Sequence, residues 1–233
     1  ILWAKGKDDR QLEFLMKFYY VKASEEKFRH NGKVKSDITY CPRYKVVLAE
    51  SEAQNLQYLT AEIKHRLGES YFKNHAYTQG LEYLMSAYSI YRNYKPSDFP
   101  HLWDFIFEYG AKYYYFNDFR SAKDIFLTAY KLMPDSMRQF RISNINTIGL
   151  CYANLDAGDS ALYYYNVAIN YANASTNALW AGIIKGNQAA VFLSRGDYKH
   201  AVPLLEQNVA SSRGRDYGDC AQSLASLAKF YSN

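Results

Sequence analysis

The apolar positions of this 233-residue chain fall into blocks with helical spacing, separated by short polar runs. Four blocks align residue for residue: LGESYFKNHAYTQGLEYLMSAY from Leu67, YGAKYYYFNDFRSAKDIFLTAY from Tyr109, IGLCYANLDAGDSALYYYNVAI from Ile148 and QAAVFLSRGDYKHAVPLLEQNV from Gln188. In each, a small residue (Gly68, Gly110, Gly149, Ala189) is followed three residues on by an aromatic (Tyr71, Tyr113, Tyr152, Phe192). Twelve residues after the first small residue stands a second (Gly80, Ala122, Ala161, Ala201), and sixteen after it a large apolar one (Leu84, Phe126, Tyr165, Leu205). Nineteen after it Ala87, Ala129 and Ala168 recur, with Asn208 in the fourth block. Small residues let two antiparallel helices approach closely, while large ones fill the grooves between them.

The runs KNHAY, FNDF, LDAGDS and SRGDY split each block in two, so each reads as helix, turn, helix. Asp118, Asp159 and Asp197 stand where the second helices begin, suited to capping or to the helix dipole. Pro134 closes the second helix of its block. The small residues at 68, 110, 149 and 189 are 42, 39 and 40 apart. A fifth copy opens 39 residues later, where Leu227, Ala228 and Tyr231 fall in register, its helix starting near residue 216. Its partner helix is expected after Asn233, so the array reads as cut within a repeat rather than capped, and the chain as a piece of a longer product.

Upstream, DDRQLEFLMKFYYVKASEEKF reads as one helix, residues 31–42 as a loop, and YKVVLAESEAQNLQYLTAEIKHRLGESYF as one long, kinked helix. The expected organisation is one continuous domain: N-terminal helices over 1–66, repeats over 67–108, 109–147, 148–187 and 188–226, and a partial repeat over 227–233. The fold class is all-α, a superhelix of antiparallel helix pairs with about ten helices and repeats of about 40 residues.

Small residue, aromatic three on, Ala twelve on, large residue sixteen on and Ala nineteen on: this pattern resembles the tetratricopeptide repeat, and YGAKYYYFNDFRSAKDIFLTAYKLMP carries even the terminal proline of that family. The four-fold recurrence makes the likeness specific. The long repeats and Tyr- and Asn-rich composition are similar to the N-terminal repeat regions of bacterial, Bacteroidetes-type sensor kinases and transcriptional regulators, with NTIGLCYANLDAGDSALYYYNVAI the nearest echo.

That resemblance implies a non-catalytic module that binds a protein or peptide along its first helices, and a sensory or dimerising role within a larger regulator. Possible self-association as a homodimer belongs to the same expectation. Carried over position by position, the groove-facing set is Glu62, His65, Glu69, Phe72, Lys73, Asp104, Phe107, Tyr114, Tyr115, Ser143, Asn146, Asn154, Ile183 and Leu193. Tyr113 and Tyr165 are core by register; Tyr163 and Tyr164 cover the surface of a second helix. A basic clamp for a terminal carboxylate is not expected, because His65, Glu69, Phe107, Ala111, Gly186 and Ala190 hold its positions. The rival readings are a receptor for a small ligand or glycan, for which Trp3, Trp103 and Trp180 are too scattered to build a platform, and an assembly scaffold.

Composition adds exclusions. Of the net charge of +5, a surplus of 4 sits in residues 1–50, which hold 11 Lys/Arg against 7 Asp/Glu; the rest hold 17 against 16, without the basic stripe of a nucleic-acid binder. The run KFRHNGKVK is expected to be a solvated helix end or loop. No apolar run reaches the ~18 residues of a membrane span. Cys41, Cys151 and Cys220 stand apart without a CxxC pair, and read as buried thiols. The five histidines lack metal spacing, and His65 between Glu62 and Glu69 is expected in a surface ion pair rather than on a metal. RGD at 195–197 is a turn with a helix cap. No catalytic site, cofactor or metal is expected. An extracytoplasmic placement is favoured over a cytoplasmic one by the resemblance alone.

Overall fold

The computed structural model describes residues 10–30, 41–99 and 101–232. Eleven helices run through them: α1 (Arg10–His30), α2 (Cys41–Ala53), α3 (Gln57–Lys73), α4 (Tyr77–Tyr91), α5 (Leu102–Tyr115), α6 (Phe119–Leu132), α7 (Arg138–Asn154), α8 (Gly158–Ala174), α9 (Ala178–Ser194), α10 (Tyr198–Ser212) and α11 (Tyr217–Tyr231). There are no strands among the described residues. The chain divides into two compact units, Ile1–Phe105 and Ile106–Asn233. Trp3 and residues 31–40 of the expected loop lie outside the described residues.

In the first unit, the stretch expected to be one long helix is two. Helix α2 ends at Ala53 and α3 begins at Gln57, with Asn55 between them at a φ of 55°. The amide of Leu56 closes the turn on the carbonyl of Ser51 at 2.9 Å. Asn tolerates this left-handed conformation better than most residues, which is why a turn forms without Gly or Pro to announce it. Cys41 and Pro42, placed in the loop from sequence, begin α2. The core joins Phe14 and Phe18 of α1, Tyr44 and Val47 of α2, and Ile63 and Leu67 of α3. A second aromatic cluster gathers Tyr58, Tyr91, Phe99 and Phe105, with ring centroids 4.6 to 5.5 Å apart.

The hairpin seam is the same wherever a first helix meets its second. A Cβ added at Gly68 would lie 2.5 Å from Cγ of Leu84, one at Gly110 3.0 Å from Cε1 of Phe126, and one at Gly149 2.5 Å from Cε1 of Tyr165. Each partner is the large residue sixteen positions on. The smallness of the first residue therefore sets how deeply the second helix sinks. The aromatic three residues on from the small one lies beside the same seam: Tyr71 stacks on Tyr83 at 5.7 Å and Tyr152 on Tyr164 at 5.2 Å, with nearly parallel planes. Tyr113 is half-buried against the Ala122 and Phe126 cluster, and Tyr165 is buried at 1% exposure. Tyr163 is exposed, as expected, whereas Tyr164 is half-buried by its stack.

Six turns close alike. A backbone N–H bonds the carbonyl five residues back, as Ala76 to Tyr71, Asp118 to Tyr113, Ala157 to Tyr152, Asn177 to Ala172 and Asp197 to Phe192, beside Leu56 to Ser51. The residue before each donor has positive φ: Asn55, His75, Asn117, Asp156, Thr176 and Gly196. This is the helix-ending motif that glycine suits best. Asp118 and Asp197 cap the next helix, accepting from the amides of Ser121 and His200, and Asn177 and Asp216 do the same for Trp180 and Asp219. Asp159 lies in the first turn of α8 rather than at its cap, within reach of the dipole. All three cysteines are buried, and burial pushes the Cys151 thiol up to about 12. No described helix is long and apolar enough to cross a membrane.

Thr176 is the β-branched member of the turn set, at a φ of 52°. A left-handed backbone costs an L residue about 1–2 kcal/mol, and Gly gives back part of that through its freer unfolded chain. Thr176→Gly is therefore expected to stabilise the protein by about 0.5–1 kcal/mol in urea unfolding. An unchanged or lowered midpoint would show the turn to be unstrained.

Candidate functional site

The expected groove positions separate by register into buried, half-buried and exposed classes. Five residues after the small residue stand Lys73, Tyr115, Asn154 and Ser194, and all four are exposed. Four after it, Phe72, Tyr114 and Leu193 are half-buried. Three before it, His65 and Asn146 are buried and Phe107 is half-buried. Six before it, Glu62 is buried, while Asp104, Ser143 and Ile183 are half-buried, as is Glu69 one residue after. The C-terminal turn of each first helix thus presents side chains to solvent, and the middle of the helix does not.

In the first unit this removes two candidates from reach. Glu62, 4% exposed, accepts from Lys22 at 3.2 Å and from Arg66 at 3.3 Å, an ion-pair cluster that holds α1 to α3. His65, expected on the surface, is 3% exposed and meets the Phe105 ring edge-on at 4.5 Å. Phe72 packs on Tyr77 at 5.0 Å. His65 is covered by Tyr91 and Phe105 of later helices and Glu62 is tied to Lys22 of α1, neighbours distant in sequence that the repeat pattern does not record.

In the second unit Phe107 packs on Phe126 at 5.1 Å, so its ring belongs to the hairpin. Tyr114 leans on Phe119 at 5.2 Å against the Ala122, Phe126, Ile148 and Cys151 cluster. Burial raises its hydroxyl above the usual range, partly offset by the Asn154 side chain. Tyr115 stands out at 58% exposure beside Phe116. Leu193 packs against the Ala189 and Leu205 cluster.

A cavity of about 520 Å³ opens between α7, α9 and α11. Leu150, Ala153, Ala190, Val191 and Tyr165 give it apolar walls; Asn154, Asp156, Asn187, Ser194, Arg195 and Gln222 supply polar groups. Asn187 donates to Asn146 at 2.8 Å, which ties two first helices together and orients both amides. The Asn154 amide donates to the carbonyl of Leu150 at 2.8 Å, which leaves its own carbonyl oxygen to accept. At the rim Arg195 pairs with Asp159 at 2.8 Å. Asn154 and Ser194 occupy one register position, as do Leu150 and Ala190, so the repeat itself could have found Ser194. Gln222 stands six residues before Ala228, the register of Glu62, Asp104, Ser143 and Ile183, so the repeat could have found it too. Asn187 and Arg195 carry no such mark, because their side chains meet the groove only once the hairpins stack. The RGD triplet forms the turn after α9, with Gly196 at a φ of 72°.

A second feature absent from the sequence reading is Arg141, 8% exposed on α7. It donates to the Met133 carbonyl at 2.6 Å and lies over the rings of Tyr130 and Tyr171 at 4.5 and 5.6 Å. Its role is to lock the turn between α6 and α7 against α8. Neither described tryptophan offers a platform: Trp103 is buried and Trp180 half-buried.

Solved structures show what fold this is. Over 85% of this chain and 96% of the other, the TPR-like repeats of a putative kinesin light chain from Podosopora anserina superpose with a TM-score of 0.67 at 14% identity. The apo form of RapI gives 0.72 at 14% identity, over 90% of this chain and 57% of the other. A signal-transduction ATPase with a tetratricopeptide repeat sensor from Pyrococcus horikoshii gives 0.66 at 17% identity, over 80% of this chain and 29% of the other. No family model and no curated protein matches the chain. The structural likeness establishes the all-α, TPR-like solenoid fold of antiparallel helix pairs that the sequence predicted.

The two neighbouring tyrosines should part company on truncation. Tyr114→Ala removes a ring packed on the hairpin core and is expected to cost about 2–4 kcal/mol. Tyr115→Ala is expected to shift stability by less than about 0.5 kcal/mol. Equal effects in denaturant unfolding would contradict the burial assignment.

Proposed function

We propose that this chain is a non-catalytic repeat module that binds a peptide segment of a partner protein in the groove between α7, α9 and α11. The observation that carries the reading is a set of amides above apolar walls, the oriented Asn154 and Asn187 and the exposed Gln222 around Leu150, Ala153, Ala190 and Val191. A carboxamide both donates and accepts, so it can bond the N–H and C=O of an extended peptide whatever its sequence. The apolar walls take a small side chain, and the volume suits a few residues rather than a folded domain. Arg195 is already paired with Asp159, and Asp156 adds a carboxylate to the lining.

The wider setting belongs to the same proposal. The chain acts as the sensory or dimerising region of a larger bacterial signalling regulator. Support comes from the sequence likeness of its long repeats to such regions and from the Pyrococcus structure, whose repeats are described as a sensor. The partner's segment would be the signal, and closure of the first helices around it the response.

Panning a random peptide library on the chain tests the groove. Gln222 is exposed at the groove edge. Gln222→Ala is expected to weaken the enriched peptides about 2- to 10-fold, the worth of one hydrogen bond, with unfolding unchanged. Peptides that bind the variant equally well, together with insensitivity to Asn154→Ala, would place binding elsewhere.

A further inference from the structure

Within the first unit a cavity of about 490 Å³ opens between α2, α3 and α4. One side of it is a ladder of stacked groups. The Tyr71 ring of α3 lies parallel to that of Tyr83 on α4, with centroids 5.7 Å apart, and the Lys45 ammonium of α2 stands 5.5 Å from the Tyr71 centroid. Leu48 of α2 adds an apolar surface. Two further lining charges, Lys64 of α3 and Glu52 of α2, neutralise each other at 3.0 Å.

Two charges are then left over. Lys45 reaches the cavity from α2 and Glu82 from α4, both are exposed, and neither enters an ion pair with a described residue. Gln79 and Ser86, three residues before Glu82 and four after it, bring an amide and a hydroxyl to the same space.

The chain supplies its own comparison. Lys123 of α6 stands 5.6 Å from the centroid of Tyr152 on α7, which stacks on Tyr164 of α8 at 5.2 Å. There, however, Lys123 is paired with Asp124 at 2.9 Å, and the register of Gln79, Glu82 and Ser86 holds Ser160, Tyr163 and Val167. The ladder is therefore packing common to both hairpins. The unpaired cation and the acidic, hydrogen-bonding row opposite it belong to the first hairpin alone, and packing does not require them.

We propose that this cavity binds a small zwitterion with an apolar side chain, a free α-amino acid or a short peptide. Lys45 takes the carboxylate, Glu82 with Gln79 takes the ammonium, and the side chain lies along Tyr83 and Leu48. One unpaired charge of each sign calls for a ligand that carries both, since an anion alone would leave Glu82 beside it and a cation alone would leave Lys45. The volume lies at the small end of ligand pockets, which suits one or two residues. The site shares no residue with the groove between α7, α9 and α11, so either can fail without the other.

Amide NMR of the 233-residue chain, titrated with L-phenylalanine and with leucyl-phenylalanine, tests the proposal. Saturable shifts confined to α2, α3 and α4 are expected, with a dissociation constant of about 0.1–1 mM because both charges are exposed. N-acetyl-phenylalanine and phenylalaninamide should each bind about fivefold more weakly than phenylalanine. Glu82→Gln should abolish the difference made by the acetyl group, and Lys45→Met the difference made by the amide, an exchange that a merely structural role would not produce. Lys123→Met and Gln222→Ala should leave binding unchanged. Tighter binding of the dipeptide assigns the site to short peptides, and tighter binding of phenylalanine assigns it to free amino acids. No shifts with either ligand at about 10 mM, capped forms that bind as well as phenylalanine, or binding indifferent to both Lys45→Met and Glu82→Gln would overturn it.

Discussion

Everything in these hairpins follows from the contact between a residue with little or no side chain on a first helix and a large side chain on its second. Gly149 beneath Tyr165 is as tight as Gly68 beneath Leu84: an added Cβ would lie 2.5 Å from the ring. The close approach brings Tyr152 and Tyr164 into a parallel stack and buries Ala161 and Ala168 completely. It also demands a tight turn, because helices this close leave room for only a few residues between them. The left-handed residues at 75, 117, 156 and 196 meet that demand, and only one of the four is glycine. Strain at the turns is thus the counterpart of close packing along the seam.

The seam was legible because it depends on residue size at fixed intervals, which sequence records directly. Four copies gave the hairpins, their turns and the burial of Tyr165. What escaped depended on neighbours distant in sequence. Asn55 turns the chain without Gly or Pro, so α2 and α3 read as one helix; the burial of His65 under Tyr91 and Phe105 and of Glu62 beside Lys22 depends on helices far along the chain. Phe107 was placed in the groove by analogy, whereas its ring fills space beside Phe126. Arg141 is polar by type yet buried, since a carbonyl and two tyrosine rings replace its water. Among the expected groove residues Tyr115 and Asn154 stand at the exposed turn, while Asn187 became visible only in three dimensions; Gln222 shares the register of Ser143 and Ile183 and was legible in the fifth copy.

The same geometry divides the labour of a first helix. Its seam side is committed to the hairpin, and its last turn is free to present side chains. In the second unit the last turns of α7 and α9 line a groove in which Asn187 is held by Asn146, Asn154 by the carbonyl of Leu150 and Arg195 by Asp159. Such a site is organised before a ligand arrives, which reduces the entropy lost on binding.

A double-mutant cycle at Gly149 and Tyr165 addresses the seam most directly. Gly149→Ala forces a Cβ against the ring and Tyr165→Leu removes the ring atoms it would meet, each at its own cost. The account predicts that the double variant is less destabilised than the sum of the two by about 1 kcal/mol or more in urea unfolding. Additivity within about 0.3–0.5 kcal/mol would mean that the two residues do not share the seam, and would contradict the account at its base.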